Sequence, residues 1–150
     1  MLARLDLARE RAVHALRSFD WIGPLLIRFT LGLVFVTTGW GKLHNLDQVT
    51  QFFGSLHIPA PHANAVFVSS VELVGGLLLI AGLGTRIAAL LLVGVMAVAI
   101  WTAKLPELHG VVDLVNTIEF AYLAAFVWLV VAGGGKASLD YLIRKSTPSS

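Results

Sequence analysis

The chain has 150 residues, of which 57% are hydrophobic and only 13% are charged, and its mean hydropathy is +0.81. This composition is typical of a membrane protein rather than of a soluble domain. The absence of cysteine excludes disulfides, dithiol redox chemistry, and haem or iron–sulfur clusters held by cysteine. The net charge is +2, but the basic residues flank apolar runs, where topology and lipid headgroups explain them better than nucleic acid does. We therefore predict contact with a lipid bilayer, no nucleic-acid partner and no intrinsic cofactor.

The first 20 residues form a charged segment. It holds four arginines and three acidic residues, and it lacks an apolar core long enough for a cleavable signal. Its apolar positions recur near helical spacing, which predicts an amphipathic helix on the cytoplasmic face of the membrane. A solvated helix that does not touch the membrane is the alternative.

Four apolar segments approach or reach the length needed to cross a bilayer, which takes roughly 20 residues. They cover residues 22–41, 63–83, 87–103 and 113–132. Between the first two, Leu46, Val49, Phe53 and Leu56 recur at helical spacing and predict a short interfacial helix, which ends before the prolines that follow. Residues 133–150 are expected to form a polar tail. The predicted fold is a single all-α membrane domain built as a four-transmembrane-helix bundle.

The distribution of lysine and arginine predicts the orientation. The N-terminal segment, the turn at 84–86 and the C-terminal tail hold eight of these residues, whereas the opposite side holds only Lys42 and Lys104. Because cytoplasmic loops carry the excess, both termini are predicted to lie on the cytoplasmic side of a bacterial inner membrane. Four histidines fall on the other side: His44, His57, His62 and His109. No two of them have the i, i+4 spacing of a helical metal site, so no metal site is predicted.

Arg28, Glu72 and Glu119 lie well inside the predicted spans, and Lys42 lies at the edge of the first. Charges at such depth are expensive and usually face the bundle interior. Helical side chains lean toward the N-terminus of their helix, so Lys42 leans toward Glu72 or Glu119, and Arg28 leans to the cytoplasmic interface. Arg28 would reach Glu72 only by bending or through a water molecule. We predict an intramembrane polar site of these four residues; in the alternative, the charges only fix the register of the helices.

Four residues near these charges are candidates for ligand contact. Trp40 lies two residues before Lys42 and could stack on a quinone ring, and His44 follows closely. Gly75 and Gly76 lie one turn after Glu72, where missing side chains would leave room for a ligand. The competing interpretations are an aromatic belt at the membrane interface for Trp40 and close helix packing for the two glycines.

The order and spacing of several motifs resemble the DoxX family of small bacterial four-helix membrane proteins. The motifs are Arg28 with Gly32 and Phe35, GWGK at 39–42, ELVGGLLL at 72–79, GLGTR at 82–86, Glu119, and GGGKASLD at 133–140. The resemblance covers about residues 22–141. It implies a four-helix bundle and favours a redox association. Some members are linked to quinone-dependent oxidation of sulfur compounds, as the small subunit of a thiosulfate:quinone oxidoreductase, and others to complexes that handle oxidative or thiol stress.

Three functions are compatible with these features. The first is a membrane subunit or accessory of a quinone-linked redox or oxidative-stress system, at most one subunit of an oxidoreductase, with a redox partner protein and a quinone headgroup or proton at the polar site. The second is a non-catalytic assembly or interaction protein of the membrane. The third is a small solute or proton transporter, which would have to act as a homo-oligomer because four helices without an internal repeat are few for one carrier.

Overall fold

The computed structural model describes residues 19–108 and 110–146. Its helices are α1 (Ile22–His44), α2 (Leu46–Ser55), α3 (Pro61–Ala81), α4 (Thr85–Ala99), α5 (Val111–Val115), α6 (Ile118–Ala132) and α7 (Leu139–Ser146). α4 continues into a π-helical turn, Ile100–Lys104, and a 3-10 turn, Leu105–Glu107. The described residues contain no strand, so the predicted all-α fold is confirmed. The predicted amphipathic helix of the first 20 residues lies almost entirely outside the described residues.

Three helices are long and apolar enough to cross a membrane: α1, α3, and the continuous helix from Thr85 to Glu107. α6 is also apolar, but its 15 residues, at about 1.5 Å each, cover only about 22 Å of a hydrocarbon core roughly 30 Å thick. The segment predicted as the fourth span, 113–132, is divided between α5 and α6. The division falls at Thr117, whose side-chain oxygen accepts a hydrogen bond from the Phe120 N–H at 3.3 Å and so caps the start of a new helix.

Glycines bring α1 and α3 into close contact. A Cβ atom at Gly39 would lie 2.5 Å from the backbone nitrogen of Leu73, and one at Gly76 would lie 2.7 Å from that of Val36. Gly32 faces Gly76 at similarly short range. Small residues at these positions let the two backbones touch, as in many membrane helix pairs. This contact places the end of α1 beside the middle of α3.

The core lies where α4 and α6 pack on each other and on α1. Leu92 of α4 and Phe126 and Leu129 of α6 are fully buried. Phe35 of α1 meets the rings of Phe126 and Tyr122 edge-on, with 5.0 and 5.5 Å between centroids. Edge-to-face pairs are a favourable arrangement of aromatic rings, so these contacts hold α1 against α6.

α2 occupies the position of the predicted interfacial helix and packs against the start of α3. Across the two helices, Thr50 Oγ1 lies 3.3 Å from His62 Nδ1. In the turn between them, His57 and Ala60 have positive φ angles of 58° and 45°, a conformation unfavourable for residues other than glycine. The turn reverses the chain within a few residues, and α2 therefore lies over the beginning of α3.

The segment after α6, which is predicted to belong to a polar tail, folds back on the bundle. Asp140, in the first turn of α7, accepts hydrogen bonds from the N–H groups of Gly84 and Thr85 at 2.6 and 2.9 Å. Its own N–H donates to the Gly82 carbonyl oxygen at 2.9 Å. Gly82 and Gly84 have φ angles of 68° and 56°, which glycine adopts without strain. α7 is thus fixed to the turn between α3 and α4.

Candidate functional site

The end of α1 and the middle of α3 form a buried ion pair. Lys42 Nζ donates to Glu72 Oε1 at 2.6 Å. The Glu72 side chain is only 2% exposed, and that of Lys42 is 36% exposed. Of the two partners predicted for Lys42, the structure selects Glu72, because the glycine contacts hold α1 directly against α3.

The second carboxylate oxygen of Glu72 lacks a partner. Oε2 is buried and accepts no hydrogen bond within the described part of the chain. Leaving a buried polar atom unsatisfied costs about 1–3 kcal/mol, and more when the group is charged. Buried polar atoms in native proteins almost always have a partner, which is water or a ligand when the protein supplies none. The orphaned oxygen therefore calls for a partner outside the described residues, such as water or a ligand.

Lys42 and Glu72 line a cavity of about 580 Å³ between α2, α3 and α4. This volume falls within the range of about 300–1,000 Å³ typical of small-molecule sites. The walls are mainly apolar, with Phe53 from α2, Val71 from α3 and Met96 from α4 among their members. An apolar cavity with a few charged groups suits a ligand that is largely apolar and has one polar part.

A second ion pair lines the same cavity. Lys104 Nζ lies 3.3 Å from Glu119 Oε1, and the two side chains are 37% and 22% exposed. Lys104 ends the π-helical turn, an element often found at functional sites. From the sequence, Lys104 is predicted only as a loop residue on the Lys42 side, although the lean of helical side chains could have indicated its place at this cavity. α4 runs in the same direction as α1, so Lys104 leans inward for the same reason as Lys42.

Arg28 lies at the opposite end of the bundle. It is 14 residues before Lys42 on α1, a separation of about 21 Å along the helix. Its buried side chain donates to the Ala137 carbonyl oxygen at 2.7 Å, so it neither pairs with Glu72 nor turns out to the interface. The four residues predicted as one site are therefore divided: Lys42, Glu72 and Glu119 share a cavity, and Arg28 belongs to the contact with the C-terminal segment.

The charges around Arg28 serve the packing of this end. Burial disfavours the charged form of Asp140, but the hydrogen bonds from Thr85 and Gly84 and the charge of Arg28 outweigh it and hold the pKa of Asp140 below its ordinary value. A Cβ atom at Gly82 would overlap the Arg28 guanidinium. The chain itself therefore fills the space between Gly82 and the guanidinium, while Arg28 Nε and Nη1 and Thr85 Oγ1 are buried without a hydrogen-bond partner among the described residues.

The four residues named as ligand-adjacent lie outside the cavity wall. Trp40 is 59% exposed, and its ring lies 4.3 Å from that of His44, centroid to centroid. A Cβ atom at Gly75 would meet the Leu92 side chain at 3.2 Å, and Gly76 faces α1. The two glycines are thus occupied in helix packing.

The histidines at the Lys42 end do not converge. His44 Nδ1 lies 2.9 Å from the Trp40 carbonyl oxygen, and His62 contacts Thr50. His109 lies outside the described residues. In the part of the chain that the structure describes, no three His, Cys, Asp or Glu side chains form a group that could hold a metal ion.

Comparison with known proteins places this arrangement in a family. The family model for DoxX matches residues 23–105, which include the first four helices except for Ile22, and both members of the buried pair. The chain belongs to the DoxX family. A Bacillus subtilis relative named "Putative oxidoreductase CatD" is 33% identical over 131 residues, which cover 86% of this chain and 92% of the relative. No solved structure matches the chain significantly.

Two Escherichia coli relatives extend the similarity. The inner membrane proteins YqjF and YphA are 25% and 27% identical to this DoxX chain, over 87% and 85% of its residues and 98% and 99% of their own. Both relatives are named as inner membrane proteins and match along nearly their whole length. This agrees with the three helices of the present chain that are long and apolar enough to cross a bilayer. The protein is therefore a DoxX-family membrane protein, as its motifs predict.

Proposed function

We propose that this DoxX-family protein is a membrane subunit or accessory of a quinone-linked redox or oxidative-stress system, and that its cavity holds the quinone headgroup. The observation that carries the proposal is the buried, unpartnered Oε2 of Glu72 in a residue that lines an apolar cavity. The printed name of one relative, "Putative oxidoreductase CatD", supports the same class of function.

The residues of the cavity fit a quinone. Its ring is flat and apolar, matching walls that include Phe53 and Val71, and its carbonyl oxygens need hydrogen-bond donors. The Lys42 ammonium has three donors, of which the bond to Glu72 uses one. Glu72 Oε2 would accept a hydrogen bond from a hydroxyl of the reduced form. One ion pair thus offers a donor and an acceptor at the same place.

When bound, the quinone would supply two-electron, two-proton redox chemistry, with the electrons exchanged with a partner protein. Lys42 and Glu72 would orient the headgroup and hold the protons at the nitrogen and the carboxylate. Lys104 and Glu119, which are more exposed than Glu72, would connect these groups with the membrane surface. The hydrophobic walls would keep bulk water from the headgroup.

The alternative, in which the ion pair only fixes the register of the helices, explains neither the cavity beside the pair nor the unpartnered oxygen. A pair that only fixed the register would need no cavity beside it, and its best arrangement would satisfy both carboxylate oxygens. One experiment distinguishes an assembly protein, in which the pair only fixes the helix register, from a protein with a quinone site. Exchange of the charges, with Lys42→Glu and Glu72→Lys in one chain, would restore both stability and function in an assembly protein. A quinone site would recover stability alone, because the donor and acceptor would have changed places.

Binding of a short-chain quinone to the purified protein in lipid nanodiscs tests the proposal. Glu72→Gln and Lys42→Met should weaken binding about 10- to 100-fold, the effect of losing a hydrogen bond to a charged group. Lys136→Met is the matched control, because Lys136 pairs with Asp20 on the exposed surface, 3.7 Å apart. Unchanged affinity in both site variants would contradict the proposal.

Complementation of a deletion strain gives a second test, in cells. Glu72→Gln and Glu119→Gln should impair complementation at equal protein levels, and unaltered complementation by both variants would contradict the proposal.

We also propose that both termini lie in the cytoplasm, so that the Lys42 end of the bundle faces the opposite side. The count of lysine and arginine supports this orientation. Since the chain has no cysteine, single substitutions report it directly. In right-side-out membrane vesicles, a membrane-impermeant thiol reagent should label Asp47→Cys at once and Ser146→Cys only after permeabilisation. The reverse pattern would contradict this orientation.

A further inference from the structure

We infer that the cavity opens sideways to the bilayer through a gap between α3 and α4, and that this gap receives the hydrocarbon tail of the ligand. The inference rests on the proposed function, since it concerns the ligand whose polar head contacts Lys42 and Glu72. It assigns the ligand class more narrowly, as an amphiphile with a long apolar chain. It also assigns a role to Gly94, which the family motifs do not include.

The gap is formed by side chains that belong both to the cavity and to the outer surface of the bundle. Phe67 of α3 and Leu90, Leu91 and Val98 of α4 all line the cavity. They are also 59%, 58%, 50% and 52% exposed. Because α3 and α4 are membrane-spanning helices, the exposed sides of these residues contact lipid. The interior of the cavity is therefore continuous with the hydrocarbon of the bilayer.

Gly94 leaves the gap open. It lies between Leu90 and Val98 on the same face of α4, one turn from each, and it lines the cavity. Apart from its chain neighbours and the backbone of its own helix, no atom lies within 4 Å of a Cβ placed at Gly94. Gly75 differs, because its missing side chain admits Leu92 from the neighbouring helix. Helix packing thus gives no reason for a glycine at position 94, whereas an opening for a chain does.

The other sides of the cavity favour an amphiphile over a water-soluble compound. α2 contributes Phe52, Phe53 and Leu56 to the wall, which makes that side apolar as well. The charged groups Lys42 and Glu72 lie at one part of the wall, and the lipid-facing gap lies at another. A ligand that fills both parts needs a polar head and an apolar chain. The acyl chain of a phospholipid is the competing occupant of the gap, and the experiment separates the two.

The test compares two quinones with the same headgroup, one without a tail and one with a long isoprenoid tail, for binding to the full chain in nanodiscs. Gly94→Phe should weaken binding of the tailed quinone about 10-fold or more, an effect of the size expected for overpacking. Binding of the tailless quinone should be unchanged. Gly23→Phe is the control, because Gly23 is also exposed with no atom near its Cβ position and lies at the far end of α1. Equal effects on the two quinones, or none on either, would overturn the inference.

A second measurement does not depend on a bulky side chain. A tailed quinone that carries a photoreactive diazirine near the end of its tail, activated in nanodiscs, should cross-link to the unaltered protein at the helix faces around Gly94. An excess of the tailed quinone without the diazirine should reduce this cross-link at least about 10-fold, the effect of occupying the gap to 90% or more. If a phospholipid chain fills the gap, the cross-link would be absent or would not respond to the excess, and either result would overturn the inference.

The outcomes also separate this inference from the proposed function. If neither quinone binds to the unaltered protein, the proposed function fails and the inference fails with it. If the tailless quinone binds and depends on Lys42 and Glu72, but neither Gly94→Phe nor the cross-link gives the expected result, the headgroup site stands and the tail gap alone is overturned.

Discussion

Removal of Lys42 should destabilise the protein more than removal of its partner, Glu72. Lys42→Met leaves a carboxylate that is only 2% exposed without its counter-ion, and breaking a buried ion pair from one side costs about 3–5 kcal/mol. Glu72→Gln leaves an ammonium that was already 36% exposed and can turn to the membrane surface. The remaining loss is that of a charge-assisted hydrogen bond, about 1.5–3 kcal/mol. The double variant Lys42→Met with Glu72→Gln buries no charge and should be more stable than Lys42→Met alone.

Reversible unfolding in mixed micelles with increasing SDS, followed by tryptophan fluorescence, measures these differences. Interhelical hydrogen bonds in membrane proteins average about 0.6 kcal/mol by the same kind of double-mutant cycle. A coupling energy clearly above that value distinguishes a buried ion pair from an ordinary polar contact. Lys136→Met provides the reference, because the exposed pair with Asp20 should contribute about 0–1 kcal/mol.

The relative stabilities of the two single variants test whether the buried carboxylate depends on its counter-ion. If Glu72→Gln is more destabilising than Lys42→Met, then the carboxylate is not the group that depends on its partner. If the double variant is as unstable as the two single losses added together, the pair is not coupled. Either result would refute the argument from burial.

Three further predictions concern other parts of the bundle. Gly39→Ala forces a methyl group against the α3 backbone and should lower stability by about 1–3 kcal/mol, whereas Gly41→Ala, which meets nothing within 4 Å, should be neutral or stabilising in the same unfolding assay. Asp140→Asn should lower stability by about 1.5–3 kcal/mol near neutral pH. The pKa of Asp140 is lower in the folded protein than in the unfolded chain, so its contribution to stability is complete above the unfolded pKa and is lost as the pH falls through the folded pKa. Thermal unfolding between pH 7 and pH 3 should therefore show that the stability difference between the unaltered protein and Asp140→Asn decreases as the pH falls. Lys104→Met should change stability by less than about 1 kcal/mol, since the pair with Glu119 is partly exposed, while a clear loss of quinone binding would show that the residue acts on the ligand.

The helices and the inward-facing lysine were predictable because they depend on local patterns. The length of the apolar runs gives the long helices, and spacing gives the short helix over 46–55. The lean of helical side chains brings Lys42 toward the acidic residues, and the structure resolves the choice in favour of Glu72. Residue size also carries information, since Gly39 and Gly76 are found where α1 and α3 touch.

Other features depend on contacts that no local pattern encodes. Arg28 binds a backbone carbonyl oxygen 109 residues away. Because every residue has a backbone carbonyl, the sequence does not indicate which one accepts this bond. The division before α6 depends on one capping threonine, Thr117, inside an otherwise continuous apolar run. The inward lean of the Lys104 side chain could be predicted from the direction of α4. Its partner could not, because the partner depends on where α6 begins, and the span predicted from the sequence starts five residues before α6 does.

The bond from Arg28 to Ala137 has a consequence for the order in which the protein is made. α1 leaves the ribosome more than 100 residues before the carbonyl that will accept the bond, because the two positions are 109 residues apart. The helix thus enters the bilayer with an arginine unmatched, which disfavours insertion by up to about 2.5–3.5 kcal/mol at a helix centre. Only when the segment after α6 is synthesised and folds back does this arginine find its acceptor. A chain that stops at residue 132 would contain the three described helices that are long enough to cross a bilayer, together with α6, but not the acceptor for Arg28. The packing of the bundle is therefore completed by the segment that follows α6.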